Sequence, residues 1–257
     1  MNTEHLTLNN INIKYIKNIA LKAGSAIMQI YKKDFIVEYK DDNSPLTEAD
    51  LKANDIICST LEKLYPNIPI MSEENKQTDY EVRKKWEYYW CIDPIDGTKE
   101  FIKKNGEFTV NIALIYKNKP VLGVVYAPAF DEIYWAKEGE GAFKDGKRLP
   151  FIVNQNPEKK LNIVASKSHL SEETQRFIDN LDTNEIEQVS KGSSIKLCMV
   201  ATGEADIYPR FAPTMEWDTA AADAVVREAG KMTYQYDSDE PVNYNKEELL
   251  NPWFVVR

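Results

Sequence analysis

An apolar run with β character, Tyr88-Tyr89-Trp90-Cys91-Ile92, stops abruptly at two carboxylates, Asp93 and Asp96, with only Pro94 and Ile95 between them. Gly97 and Thr98 then reopen the chain. Such a strand end can direct Asp93, Asp96 and the main-chain carbonyl of Ile95 at one point in space. All three are hard oxygen ligands suited to Mg²⁺. Backbone N–H groups at Gly97 and Thr98 can face a bound anion, as at any tight turn leading into a helix. Asp-Pro and Asp-Gly are also ordinary turn dipeptides, so carboxylates elsewhere in the chain must decide between a turn and a metal–phosphate site.

A chain of 257 residues fits one large domain or two small lobes sharing a core. Its net charge of −9 argues against general binding to nucleic acid or to an acidic membrane, since both need a basic face. An acidic protein with a polyanionic substrate has to screen it locally, with metal ions and a few placed Lys and Arg. The cysteines, Cys58, Cys91 and Cys198, are far apart, odd in number and set in apolar surroundings. They suit reduced, buried thiols better than a disulfide framework or a zinc site. Met1 to Asn10 is polar, and no window approaches the roughly 20 apolar residues of a membrane span. The expectation is a cytoplasmic globular protein without stable membrane insertion. A loose peripheral contact with the inner membrane is left open, as is the choice between monomer and homodimer.

Apolar residues recur at helical spacing from Ile11 to Lys33, and Asp34 to Tyr39 reads as a short strand. The run 41–45 reads as a loop, and Thr47 as the cap of a second amphipathic helix reaching about Leu64. Ile68 to Met71 is a short strand ending at Ser72-Glu73-Glu74. The middle is β-rich: Phe108 to Tyr116 and Pro120 to Tyr126 form a hairpin, Glu132 to Ala136 adds a strand, and Glu138 to Arg148 resembles another hairpin. The polar stretch Asn154 to Lys160 is the candidate boundary between an N-terminal lobe, about 1–157, and a C-terminal lobe, about 158–257. Strands at Leu161–Ala165, Ile186–Val189, Ala205–Tyr208 and Trp253–Val256 then alternate with helices at Ser171–Leu181, Ser193–Thr202 and Trp217–Ala229. This alternation argues α/β layering.

Three further acidic sites join the first. Glu73 lies at a strand end like Asp93 and adds a third carboxylate, able to bridge two cations. Asp218 falls at the start of an Ala-rich helix, where capping and the helix dipole favour a carboxylate without any chemistry. The small alanines would also let this helix end press close to a strand end, so that Asp218 completes a second metal shell. Asp50 sits in the first turn of its helix, again a favourable place in its own right. A nucleophilic water needs an acceptor to orient it and take its proton, and Asp50 with the Thr98 hydroxyl can fill that role.

Four elements in this order resemble the inositol monophosphatase superfamily of Mg²⁺-dependent, lithium-sensitive phosphatases. They are Thr47-x-x-Asp50, Ser72-Glu73-Glu74, Asp93-Pro94-Ile95-Asp96-Gly97-Thr98 and Trp217-Asp218-x-Ala220-Ala221. Lys99-Glu100-Phe101-Ile102, the segment Asn105 to Leu114, and Tyr208-Pro209-Arg210 are similar to the bacterial 3′(2′),5′-bisphosphate nucleotidase branch. The inositol-specific branch carries a Thr-Asn-Phe type sequence after the Gly-Thr, from which Lys99-Glu100-Phe101 departs.

The resemblance implies a single layered α-β-α-β-α sandwich of two lobes, with metals between them. It implies that Glu73, Asp93, the Ile95 carbonyl, Asp96 and Asp218 hold two or three Mg²⁺ ions. Asp50 and Thr98, with Glu73, would be catalytic, and the Gly97 and Thr98 amides would touch the scissile phosphate alongside Asp96 and Asp218. Lys167, His169, Ser193, Lys196 and Arg210 are carried as contacts to a second phosphate or to adenosine. The implied reaction is hydrolysis of 3′-phosphoadenosine 5′-phosphate to AMP and phosphate, in support of sulfur assimilation. An inositol or sugar monophosphatase is the nearest alternative, and a non-catalytic metal or nucleotide sensor is one from another class.

Overall fold

The computed structural model describes residues 7–40, 45–151, 160–165, 171–183 and 185–257. Helix α1 (Ile13–Tyr31) starts at Asn12, whose side chain accepts a hydrogen bond from Lys14 N. It turns Ile16, Ile19, Ala20, Ala23 and Ile27 inward at the expected spacing. β1 (Val37–Tyr39) and β2 (Pro45–Thr47) make a small antiparallel pair in which Tyr39 faces Pro45. The loop expected over 41–45 thus ends one residue earlier; proline is tolerated as the first residue of an edge strand. The other residues of that loop, 41–44, lie outside the described residues.

Helix α2 (Glu48–Leu64) follows, then β3 (Ile70–Ser72), the short α3 (Tyr80–Arg83), β4 (Tyr88–Asp96) and the short α4 (Thr98–Ile102). Strands β5 (Thr109–Tyr116), β6 (Lys119–Ala127), β7 (Glu132–Lys137), β8 (Gly141–Lys144) and β9 (Lys147–Arg148) complete a seven-stranded sheet in the order β3-β4-β5-β6-β7-β8-β9. Only the β3–β4 pair is parallel.

Strand alternation divides this sheet between two cores. Trp90, Ile92, Ile112, Leu114, Leu122 and Val124 pack under α1 and α2, while Tyr89, Cys91, Ala113, Ile115 and Val125 face the opposite side. Asp93 and Asn111 are Cα partners and continue that second face, so the same pleat that buries Cys91 delivers a carboxylate at the strand end.

The second half adds β10 (Leu161–Ala165), α5 (Glu172–Asp179), β11 (Ile186–Ser190), α6 (Ile195–Thr202), β12 (Tyr208–Arg210), α7 (Glu216–Glu228), β13 (Thr233–Gln235) and β14 (Phe254–Val256). Helices α6 and α7 cover the second face of the large sheet. The alanines of α7 let it approach very closely: a Cβ on Gly123 of β6 would stand 2.1 Å from the Ala221 carbonyl oxygen. Beyond the two helices, β10 pairs in parallel with β11, and β12, β14 and β13 form an antiparallel set. A bridge from Ile163 to Ile207 joins the two sets, and Phe177 of α5 packs outside them on Phe211 and Tyr236. The layers run helix, sheet, helix, sheet, helix.

The strand placed at Ala205–Tyr208 lies at Tyr208–Arg210, because Ile207 makes only the isolated bridge while Tyr208, Pro209 and Arg210 pair with β14. The short β13 and α3 carry no periodic pattern and were not foreseen. Most of the expected lobe boundary, residues 154–159, lies outside the described residues. Among the described residues no helix is long and apolar enough to cross a membrane.

Candidate metal and phosphate site

The register between β4 and β5 breaks between Asp93 and Asp96. Asp93 Oδ1 accepts from Ile95 N at 3.0 Å, which closes a turn around Pro94; its other carboxylate oxygen makes no hydrogen bond among the described residues. Gly97 follows with φ +93°, and a Cβ there would sit 3.1 Å from the Glu107 carbonyl oxygen and 3.3 Å from Ser193 Cβ. Only glycine combines that left-handed backbone with so close an approach. Thr98 then opens α4, its hydroxyl 3.2 Å from Asp50 Oδ1 and 3.3 Å from the Ile95 carbonyl.

Asp50 and Asp218 occupy the same position in their helices and divide their oxygens in the same way. Asp50 Oδ2 accepts from the Thr47 amide at 2.8 Å and the Thr47 hydroxyl at 2.6 Å, which leaves Oδ1 for Thr98. Asp218 Oδ2 accepts from Met215 N at 2.8 Å. Its carboxylate, with those of Asp93 and Asp96, offers ligand oxygens all within 4.8 Å of one another. Asp96 Oδ2 accepts from the backbone N–H of Ser194 at the head of α6.

These groups line one cavity of about 340 Å³ between the large sheet, α4 and the starts of α6 and α7. Glu73, the Ile95 carbonyl, Gly97, Thr98, Ser193, Lys196 and Arg210 line it too, so the cavity brings together the predicted residues that the structure describes, with Asp50 reached through Thr98. Lys167 and His169 lie outside the described residues.

Crowding of negative charge dominates the electrostatics. Burial, then the charges of Glu73, Asp96 and Asp218, hold the Asp93 carboxyl well above the ordinary carboxylate range. Burial and the charge of Asp96 do the same at Asp218. Burial raises Asp96 to about 6 although Lys196 and the Ser194 amide pull it down. A convergent set of all-oxygen donors whose charges repel one another fits a hard divalent cation, which would relieve that repulsion.

Lys40 was not foreseen. Its ammonium lies 2.8 Å from Glu73 and 2.7 Å from Glu74. Burial works against its charge, but the two carboxylates outweigh burial and hold its pKa above the usual lysine value. Burial raises Glu74 to about 7. A cation at Glu73 must share that carboxylate with Lys40 or displace it. Nothing in the local sequence marks this lysine, because the contact joins two segments that meet only in the folded chain.

Lys196 departs from a solvated lysine: it is 5% exposed. Its Nζ donates to the Ser193 carbonyl at 2.7 Å and lies 5.5 Å from the centre of the Tyr208 ring. Burial lowers its pKa to about 8, against the pull of Asp96. Arg210 donates from Nη2 to the Pro213 carbonyl at 3.0 Å, while its buried Nε has no hydrogen-bond partner among the described residues. Two cations with donor capacity to spare therefore share the cavity with the carboxylates.

A pH dependence follows from the raised carboxyls. Such groups bind protons more tightly in the folded state, so their stabilising contribution is complete below their ordinary values. It is lost as pH rises through about 6 for Asp96 and about 7 for Glu74. In chelator, the thermal midpoint is expected to climb as pH falls from about 8 to about 5, and added Mg²⁺ to raise it most at the upper end. A midpoint in chelator that falls steadily over this interval would mean that the charges are already compensated.

The inositol monophosphatase family model matches residues 11–252. A 3′(2′),5′-bisphosphate nucleotidase CysQ of Shigella flexneri is 46% identical over 241 residues, covering 93% of this chain and 96% of that one. The crystal structure of CysQ from Bacteroides thetaiotaomicron, a bacterial member of the same family, is similar with a TM-score of 0.84 and 46% identity, covering 96% and 98% of the two chains. An IMPase of Thermotoga maritima is similar with a TM-score of 0.78 and 27% identity, covering 95% of this chain and 91% of that one.

Proposed function

We infer that this chain, which belongs to the inositol monophosphatase family, is a 3′(2′),5′-bisphosphate nucleotidase. It hydrolyses 3′-phosphoadenosine 5′-phosphate to AMP and phosphate, clearing a by-product of sulfur assimilation. The observation that supports this substrate over a monophosphate is a single cavity holding both a carboxylate cluster and two placed cations, Lys196 and Arg210. A bisphosphate needs both: one phosphoryl group at the metal and a second anion to be read elsewhere.

In this reading Glu73, Asp93, the Ile95 carbonyl, Asp96 and Asp218 hold Mg²⁺, as two or three ions. Bound Mg²⁺ supplies polarisation of the phosphoryl oxygens, a more acidic attacking water and stabilisation of the leaving ribose oxygen. Thr98 gives its proton to Asp50, which leaves the threonine oxygen as an acceptor that orients the attacking water. The Gly97 and Thr98 amides face the scissile phosphate. Ser193, Lys196 and Arg210, with Lys167 and His169, meet the 5′-phosphate or adenosine. The three cysteines are buried and unpaired, which suits action in the reducing cytoplasm.

The test is phosphate release from 3′-phosphoadenosine 5′-phosphate and from inositol 1-phosphate, side by side, with Mg²⁺. Strong preference for the nucleotide supports the reading; preference for inositol phosphate overturns the substrate and keeps the metal site. Silence on both would favour a sensor. Within the same assay, Lys196→Ala is expected to raise KM for the bisphosphate by about 10–100-fold, the worth of one charged hydrogen bond. It should raise KM for a monophosphate much less. Equal effects on both would mean that Lys196 does not read the second phosphate.

A further inference from the structure

Asp50, Asn54 and Cys58 stand four residues apart on α2 and so share one stripe of that helix. Asp50 heads the stripe and turns to Thr98. Asn54 and Cys58, behind it, face the segment that follows β3.

That segment is a β-turn whose two central residues are Glu73 and Glu74, closed by a hydrogen bond from Asn75 N to the Ser72 carbonyl at 3.2 Å. One side-chain amide holds both of its corners. The Ser72 hydroxyl donates to Asn54 Oδ1 at 2.7 Å, and Asn54 Nδ2 donates to Asn75 Oδ1 at 2.8 Å. Cys58 completes a ring: Asn75 Nδ2 donates to its sulfur at 3.7 Å, and the thiol donates to Asn54 Oδ1 at 3.3 Å. Gln77 Nε2 spans the turn, donating to the Ser72 carbonyl at 2.7 Å and the Asn75 carbonyl at 3.1 Å. On the sheet side, Glu73 N donates to the Ile92 carbonyl at 3.1 Å, one residue before Asp93. Ser72 is 0% exposed, so its hydroxyl needs a protein partner.

The turn has something to resist. The charge of Glu73 repels those of Asp93 and Asp50, and a turn free to move would relax away from them. We propose that Asn54 is a positioning residue: its amide clamps both corners of the Glu73–Glu74 turn to the helix that carries Asp50, and so holds Glu73 against the other metal carboxylates. An amide suits the task because one short, planar group supplies both a donor and an acceptor. An apolar side chain of the same size would fill the space and bind neither corner.

The proposal rests on Glu73 holding Mg²⁺, and calorimetric titration with MgCl₂ separates the two claims. Glu73→Gln removes the ligand charge and identifies the binding step that depends on it. Asn54→Leu keeps the bulk and removes both links. It is expected to weaken that step about tenfold, the lower end of what an outer partner of a metal ligand contributes. Ser72→Ala and Asn75→Ala each free one corner and should weaken it about threefold, half of that free energy. Added to Asn54→Leu, Ser72→Ala should cost no further affinity, because its partner is already gone. A clamp that served stability alone would lower the melting midpoint in chelator and leave the affinity of the folded protein unchanged. Wild-type affinity in Asn54→Leu, or losses that simply multiply in the double variant, overturns the clamp and leaves Glu73 as a ligand. If Asn54→Leu does not fold, wild-type affinity in either Ser72→Ala or Asn75→Ala overturns it. Wild-type affinity in Glu73→Gln overturns the ligand reading and the clamp with it.

Discussion

Asp93→Asn is expected to reduce Mg²⁺-dependent phosphate release by at least about a thousandfold, since the metal's contribution is several kcal/mol and each 1.4 kcal/mol is tenfold. Asn is almost the same size and still accepts the Ile95 N–H that closes the turn. The substitution therefore removes charge with little change of shape. It should not harm the fold: the Asp93 carboxyl is held well above its ordinary range by burial and by Glu73, Asp96 and Asp218, so losing its charge relieves repulsion. In chelator the variant should melt at or above the wild-type midpoint, and Mg²⁺ should raise that midpoint far less than it raises the wild type. These two melting curves distinguish loss of a ligand from loss of structure. Full Mg²⁺-dependent turnover in Asp93→Asn would remove Asp93 from the site.

Where a residue's environment is local, its role could be read before the fold was known. Thr47 could be named as a cap because the serine/threonine–carboxylate pattern is a property of one helical turn. The β5–β6 hairpin was readable for the same reason. Asp50 and Asp218 posed a harder question, since capping alone explains a carboxylate at either position. The structure shows that the explanations do not compete. A carboxylate has two oxygens, and in each case Oδ2 closes the helix start, leaving the other oxygen available. Helix starts are thus economical places to carry a metal ligand or a base, and local stability disguises them.

Pairings across the chain could not be read this way. Lys40 with Glu73, and Thr109 and Asn111 with the head of α6, depend on which strand end meets which helix. Lys196 shows the limit most clearly. An isolated lysine in a helix is ordinarily solvated, yet here Lys196 is buried, its Nζ on the Ser193 carbonyl and beside the Tyr208 ring. Its lowered pKa, about 8, leaves it largely charged at neutral pH and easily neutralised above that. The resemblance located these positions; only the packing explains why a buried ammonium is retained there.

Asp50→Asn is the second large effect, and its signature should differ from that of Asp93→Asn. Removal of a general base costs about 10²–10⁴-fold in turnover, and here the loss should fall on kcat while Mg²⁺ affinity changes little. Asn can keep its carbonyl oxygen on the Thr47 amide, so α2 retains its cap. Its NH₂ group then faces the Thr98 hydroxyl and reverses that hydrogen bond: the threonine must accept instead of donate. Water loses its acceptor in the same step. Asp50→Ala would combine this defect with loss of the hydrogen bonds that Asp50 accepts from Thr47, at about 1 kcal/mol of stability, so Asn is the cleaner variant. The pH profile gives an independent check. Burial raises the Asp50 carboxyl despite its Thr47 hydrogen bonds, so wild-type kcat should fall as pH drops through this raised value. Asp50→Asn should lose that acidic limb along with its rate. A variant that keeps both the rate and the limb would show that another group takes the proton, whereas loss of Mg²⁺ affinity comparable to Asp93→Asn would move Asp50 into the metal shell.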